Sequence, residues 1–286
     1  MSAKLKILIT SQKGGVGKST VSANLAAYFA HTVGKLTTLI DLDHQASAGK
    51  WVKNAVPIGI QCIFVESLNN KGQGMALLQA KQALRSANAT AEVIIADLTW
   101  TDILPPEFLF EFDLVLVPCS LSKVEVDSTL EFVNRFGFVF NSTMRTPPKL
   151  IVVPSRIIDL SAYSNIFHQS FTTAFFLSPP IRFNSKANEF FGSEFFVTTG
   201  DSETRDEFID FGRSIEEIGR VAEAEKTKFR GLYQPKVSGS ILDRFRAARN
   251  VNEIKSTVAA NDSGVVRLQA KIKSVIPNFL LPGSKK

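Results

Sequence analysis

The feature that most constrains this chain is the alternation of short apolar runs with segments of helical length. Runs rich in Val, Ile and Leu and bounded by polar residues or proline are typical of strands buried on both faces. Such runs are Leu5–Thr10, Leu36–Leu42, Ile58–Val65, Val93–Asp97, Leu114–Pro118 and Leu150–Pro154. The segments between and after them with helical length are Ser19–Ala30, Met75–Ala87, Val124–Phe140, Leu160–Phe176 and Glu203–Arg230. We therefore predict an α/β fold with a doubly wound, mostly parallel sheet and helices on both faces.

Composition excludes several other classes. Hydrophobic residues make up 44% of the chain and charged residues 21%, which excludes wholesale disorder. The cysteines, Cys62 and Cys119, are too few for a disulfide framework or a four-ligand metal site. No apolar stretch approaches the roughly 18 residues that a spanning helix needs, and Met1–Thr10 is too short and strand-like for a secretory signal. We expect a cytoplasmic protein.

Charge is distributed unevenly along the chain. Residues 226–286 contain 13 Lys or Arg and three Asp or Glu, a net charge of +10, whereas residues 1–225 contain 20 and 24, a net charge of −4. We therefore predict a globular domain over residues 1–225 and a basic C-terminal extension over residues 226–286, helical or partly disordered. Such a segment favours a polyanionic partner, either nucleic acid or an anionic membrane surface. The alternative is a tail that only increases solubility.

The glycine-rich run Gly14–Thr20 follows directly after the first predicted strand. Backbone N–H groups of such a loop and the N-terminus of the next helix form a cradle for an anion. Lys18 can reach the terminal phosphates of a nucleotide, and the Ser19 hydroxyl can bind Mg²⁺. The general phosphate-loop pattern has a glycine where this chain has Gln12, so the surviving motif begins at Lys13. The predicted nucleotide-binding residues are Lys13, Gly14, Gly15, Val16, Gly17, Lys18, Ser19 and Thr20.

Acidic residues end two of the predicted strands. Asp41 and Asp43 follow the second run, and Asp97 ends the fourth. In open α/β sheets, ligands bind at this carboxyl edge. Asp43 can orient a water or hold the magnesium shell, and Asp97 has the position of a Walker B carboxylate. Together with Ser19 these are the predicted metal-binding residues, while Asp41 could instead cap a turn or helix.

The string from Lys13 to Thr20 resembles the deviant phosphate-loop motif of the ParA/MinD family of ATPases, and the resemblance covers most of residues 4–222, with the basic tail outside it. It implies a P-loop NTPase with weak, partner-stimulated ATP hydrolysis. It also implies an ATP-bridged homodimer in which Lys13 reaches the partner's nucleotide, although Lys13 could be an ordinary solvated loop lysine. The catalytic residues implied are Lys13, Lys18 and Asp43. This sequence departs from the family where His44 replaces a proline and where Leu98–Trp100 replaces a small residue and prolines.

The predicted function is that of a ParA-type switch. We expect ATP and Mg²⁺ as cofactors, nonspecific binding of double-stranded DNA in the ATP state, and a ParB-type stimulating partner. Such a protein partitions or positions DNA or a protein cargo and is cytoplasmic, associated with the nucleoid. The candidate DNA-binding residues are Arg244, Arg246, Arg249, Lys255, Arg267, Lys271 and Lys273.

One alternative is a MinD-like membrane ATPase, because residues 265–276 form a basic amphipathic pattern. Another is an assembly ATPase in cellulose synthesis, a flagellar system or a secretion system, which acts through a protein partner.

Overall fold

A parallel sheet forms the centre of the structure. The computed structural model describes residues 4–65, 68, 72–159, 173–185 and 187–233. The strands in these residues are β1 (Leu5–Ser11), β2 (Thr37–Asp41), β3 (Ile60–Phe64), β4 (Val93–Thr99), β5 (Leu114–Cys119), β6 (Lys149–Ile157), β7 (Phe176–Leu177) and β8 (Ile181–Arg182). Their order is β3-β2-β4-β1-β5-β6-β7, with β8 also paired to β6. Every strand pair described is parallel, which confirms the predicted sheet.

Helices cover both faces of the sheet. They are α1 (Lys18–Ala27), α2 (Ser47–Asn54), α3 (Gln73–Thr90), α4 (Lys123–Arg135), α5 (Gly137–Phe140), α6 (Ala187–Phe190) and α7 (Ser202–Tyr233). A π-helical turn, Tyr28–Thr32, continues α1, and a 3₁₀ helix spans Pro106–Glu111. One hydrophobic layer contains side chains of α1, α2 and α7, and the other contains side chains of α3, α4 and α5. The doubly wound arrangement is therefore confirmed.

The continuous apolar strands follow from this two-sided burial. Side chains alternate between the faces of a strand, so a strand covered on both faces must be apolar at every position. In β1, Ile7 and Ile9 pack in the layer with α1 and α7, whereas Leu8 packs in the layer with α3. All three are fully buried.

Several elements differ from the sequence-based expectation. Helix α2 was not predicted, because its eight residues bury few apolar side chains, chiefly Ala48 and Trp51. The helix expected over Val124–Phe140 is interrupted after Arg135, where Phe136 leaves helical geometry with φ −105° and ψ 13°. Most of the expected helix Leu160–Phe176 lies outside the described residues, and its last residue belongs to β7 instead.

The end of α7 bears on the predicted domain division. This helix continues past residue 225 to Tyr233, and residues 234–286 lie outside the described part of the chain. The boundary at residue 225 therefore remains a prediction, as does the basic extension with its seven candidate DNA-binding residues. No helix in the described residues is both long enough and apolar enough to cross a membrane.

Candidate functional site

The glycine-rich loop connects the carboxyl end of β1 to α1. Gly15 and Gly17 have φ angles of 81° and 89°, in the left-handed region that favours glycine. Gly17 immediately precedes Lys18, the first residue of α1. A side chain at Gly14 or Gly15 would meet no atom within 4 Å, so the space beside the loop is open. The predicted loop thus presents backbone to an open cavity at a helix N-terminus.

Lys18 forms ion pairs with acids from two neighbouring strand ends. Its Nζ lies 2.9 Å from Asp43 Oδ2 and 3.0 Å from Asp97 Oδ1, and its side chain is only 7% exposed. Burial acts to lower the pKa of Lys18, but Asp97 and then Asp43 outweigh it and raise the pKa above its usual value. Lys18 therefore remains an ammonium, as a phosphate-binding residue requires.

Asp97 brings together the predicted metal-binding groups. It is fully buried, and its Oδ2 accepts a hydrogen bond from Ser19 Oγ at 2.8 Å. Its Oδ1 accepts a second hydrogen bond from Ser22 Oγ at 2.9 Å. A hydroxyl beside a carboxylate is the oxygen donor set that Mg²⁺ prefers. The site was predicted without Ser22, although Ser22 lies one helical turn after Lys18, on the same face of α1.

Asp41 and Asp43 have different roles in the loop after β2. Asp41 Oδ1 accepts a hydrogen bond from Asp43 N at 3.0 Å, and its Oδ2 accepts one from Gly49 N at 2.7 Å. Asp41 therefore caps the loop and the first turn of α2, the alternative that its position had left open. Burial, together with the nearby charge of Asp97, raises the pKa of Asp41 to about 6.

Asp43 is held as a carboxylate at the mouth of the site. Burial acts to raise its pKa, but Lys18 and a hydrogen bond donated by Thr99 Oγ1 outweigh this effect and hold the pKa at about 2. Asp43 can therefore accept hydrogen bonds but not donate one. His44, where the family pattern has proline, is exposed beside it.

A cavity of about 930 Å³ opens beside these groups. Its size is suited to a nucleotide. It is lined by the glycine-rich loop, Asp43, Thr99, Ser155, Arg156 and the segment from Ile181 to Ser185. No contact to the nucleotide base was predicted from the sequence, and the segment from Ile181 to Ser185 lines the same cavity as the loop.

Lys13 and Trp100 differ in their exposure to solvent. Lys13 is exposed, and among the described residues no carboxylate lies within salt-bridge distance of its ammonium. Trp100 is 4% exposed and contacts Phe132 and Phe136 edge to face, so it belongs to the core.

The donor set fits ATP with Mg²⁺. Positive charge comes from Lys18, backbone N–H groups from the loop and helix α1, and hard oxygen ligands from Ser19 and Asp97. Lys18, Ser19 and the loop line one open cavity, as a phosphate-rich ligand requires, and the buried Asp97 is bonded to Lys18 and Ser19.

The chain is similar in sequence to known nucleotide-binding domains. A sequence model of the CobQ/CobB/MinD/ParA nucleotide binding domain matches residues 7–278, beyond residue 222, where we expected the resemblance to end. The chromosome-partitioning ATPase Soj of Thermus thermophilus is 35% identical over 129 residues, which are 43% of this chain and 49% of that protein. The chain thus spans about half the length of this curated relative.

Solved structures show the same fold. A plasmid partition protein from Borrelia burgdorferi bound to AMPPNP has a TM-score of 0.56 and 17% identity, covering 78% of this chain and 100% of that one. The septum site-determining protein MinD of Pyrococcus horikoshii, complexed with Mg-ADP, has a TM-score of 0.54 and 14% identity, covering 77% and 98%. At these identities the likeness concerns the fold alone. Because the family model matches nearly the whole chain, the chain belongs to the CobQ/CobB/MinD/ParA family of nucleotide-binding domains.

Proposed function

We propose that this protein is an ATP-hydrolysing dimeric switch of the ParA type, which partitions or positions DNA or a protein cargo. The observation that carries the proposal is Lys18, a buried ammonium held by Asp43 and Asp97 beside the glycine-rich loop and its open cavity. Membership in the family and a relative named as a chromosome-partitioning ATPase support it.

Different residues of the site would bind the phosphates, the Mg²⁺ and the attacking water. Lys18 would exchange its carboxylate partners for phosphate oxygens, and the loop N–H groups would bind the remaining phosphate charge. Ser19 and Asp97 would hold Mg²⁺, which supplies positive charge against the phosphates when it is bound. Asp43, already ionised and hydrogen-bonded, would accept a hydrogen bond from the attacking water and orient it.

Switching requires an interaction that differs between nucleotide states. We propose that Lys13 supplies it by reaching the nucleotide of a second subunit. Its exposure and its lack of an ion pair among the described residues leave it available for that contact. ATP would then favour the dimer, and hydrolysis, accelerated by a ParB-type partner, would release it.

DNA is the surface that the charge pattern favours. The basic residues of 226–286 give this segment a net charge of +10, and a dimer would double the number of phosphate contacts. We therefore propose nonspecific binding of double-stranded DNA in the ATP state, in the cytoplasm at the nucleoid. The competing proposal is MinD-like membrane binding, favoured by the apolar stripe of Val265, Leu268 and Ile272.

Binding to random duplex DNA tests the proposal. Binding is measured at two salt concentrations without nucleotide, with ADP, with ATP and with a slowly hydrolysed ATP analogue. We expect salt-sensitive binding only with ATP or the analogue, and none by Lys18→Ala, which lacks the phosphate-binding ammonium.

A matched pair of charge variants locates the DNA contact. Replacing Arg244, Arg246 and Arg249 with Gln should reduce the slope of log affinity against log salt by about one per lost phosphate contact. Replacing the exposed body residues Lys53, Arg85 and Lys123 in the same way should leave the slope unchanged. DNA binding that is absent in every nucleotide state would overturn the proposal, and binding to anionic vesicles in its place would favour the membrane alternative.

A further inference from the structure

Two consecutive residues at the carboxyl end of β6 bind two consecutive carbonyls of the glycine-rich loop. Ser155 Oγ donates a hydrogen bond to the Val16 carbonyl at 2.8 Å, and Arg156 Nη1 donates one to the Gly15 carbonyl at 2.6 Å. Ser155 is 2% exposed, so its hydrogen bond is shielded from water. Both side chains also line the nucleotide-sized cavity.

The direction of these carbonyls determines whether the loop presents N–H groups or carbonyl oxygens to an anion. A trans peptide unit is planar, and its N–H points away from its C=O. When Arg156 and Ser155 hold the carbonyls of Gly15 and Val16 toward β6, the N–H groups of Val16 and Gly17 point the opposite way. A phosphate needs those N–H groups and is repelled by carbonyl oxygens.

Without such restraint the loop would be free to adopt other conformations. Glycines at positions 14, 15 and 17 lose more conformational freedom on ordering than other residues do. If the loop were ordered only by the ligand, that entropy loss would reduce affinity. Hydrogen bonds made before binding remove part of this cost.

The backbone conformation of Arg156 bears on why an arginine occupies this position. Its φ is 59°, and in the described residues only Ala46 shares a positive φ among residues other than glycine. Glycine would adopt this conformation with less strain. An arginine at such a position is consistent with a requirement for the guanidinium rather than for the backbone.

We propose that Ser155 and Arg156 are positioning residues that fix the glycine-rich loop in its phosphate-binding conformation. This inference rests on the nucleotide binding within the proposed function. It assigns Arg156 to the loop carbonyl and not to the phosphates themselves. ADP and ATP share the phosphates that the loop N–H groups cradle, so loss of the clamp should weaken both equally.

The experiment compares Arg156→Gly with Ser155→Ala, Arg156→Lys and the surface-loop control Arg145→Gly. Calorimetry measures the affinity for Mg-ADP and for a nonhydrolysable Mg-ATP analogue, and thermal unfolding is measured without nucleotide. Loss of one hydrogen bond from a charged donor predicts affinities about tenfold weaker for both nucleotides in Arg156→Gly. Ser155→Ala should weaken both in the same ratio, Arg156→Lys should restore part of the loss, and Arg145→Gly should change neither affinity.

Thermal unfolding separates positioning from folding. Because glycine relieves the positive φ, Arg156→Gly should unfold at a temperature no lower than the wild type. Unchanged affinity for both nucleotides would overturn the proposal. So would weaker binding of the ATP analogue alone, since that result would place Arg156 on the terminal phosphate. The readout is nucleotide affinity, so the result is independent of DNA binding, by which the proposed function is tested.

Discussion

Single hydroxyl groups set much of the geometry of this site. Thr99 Oγ1 donates a hydrogen bond to Asp43, and Ser19 Oγ donates one to Asp97. Lys18 bridges the two carboxylates, so the acid that follows β2 and the acid in β4 are held by one network. If Lys18 turned to a phosphate, as we propose, Thr99 would remain as a hydrogen-bond donor to Asp43. Thr99 therefore holds the carboxylate to which we assign the water.

Thr99→Val removes this hydroxyl and keeps the β-branched shape. We expect ATP turnover to fall about tenfold, the value of one hydrogen bond to a charged group, with nucleotide affinity little changed. Steady-state hydrolysis and calorimetry measure the two quantities. Thr99→Ser should retain most of the turnover.

Thr101 provides the matched control two residues further on. Its buried hydroxyl has no hydrogen-bond partner among the described residues, so Thr101→Val should leave turnover near the wild-type value. Equal turnover by Thr99→Val and the wild type would show that Asp43 is oriented by other contacts.

At the scale of elements, close packing at two glycines, rather than hydrophobic periodicity, determines the position of α7. A Cβ atom at Gly212 would lie 2.5 Å from the ring of Tyr28, and one at Gly219 would lie 2.9 Å from Leu5 Cδ2. These glycines let the helix approach the turn after α1 and the start of β1. The tyrosine atoms concerned are Cγ and both Cδ atoms, so the ring would have to rotate about Cα–Cβ, which its burial at 2% exposure opposes.

Gly212→Ala therefore tests the packing of α7. Alanine favours a helix by about 1 kcal/mol, but overpacking typically costs about 1–3 kcal/mol, so the free energy of unfolding should fall by about 1 kcal/mol. Chemical denaturation measures it. Gly74→Ala in α3 is the control, because no atom lies within 4 Å of the added methyl group, and that variant should be slightly more stable. Increased stability of Gly212→Ala would mean that α7 packs less closely.

The parts of the fold that the sequence predicted are those with local signals. The strands were predicted because burial on both faces makes them continuous apolar runs, and the loop because its glycines follow such a run directly. The contact between Ser155 and Val16 joins residues 139 positions apart, so only tertiary packing could reveal it. Asp41 is an intermediate case, since its place at a strand end was visible but its capping of Gly49 N depends on the unpredicted helix α2.

At the scale of the whole molecule, every predicted nucleotide ligand lies at one edge of the sheet. The loop after β1, Asp43 after β2 and Asp97 in β4 all lie toward the carboxyl ends of parallel strands. A second subunit that shares the nucleotide must therefore approach this edge. Lys13 is exposed there, next to the loop glycines, whereas Lys35 lies before β2 at the opposite edge.

Lys13→Ala should separate nucleotide binding from dimerisation. The phosphate contacts that we assign within one subunit come from Lys18 and the loop N–H groups, so the affinity of the monomer for Mg-ADP should stay within about twofold of the wild type. The ATP-dependent dimer should be lost, because removal of a charged contact at a desolvated interface costs several kcal/mol. Sedimentation velocity with a nonhydrolysable ATP analogue measures the dimer, and calorimetry measures ADP binding.

Lys35→Ala, with the same loss of charge at the other edge, should dimerise like the wild type. Undiminished dimerisation of Lys13→Ala would show that the subunits meet through a different surface, and Lys13 would then be an ordinary solvated loop lysine.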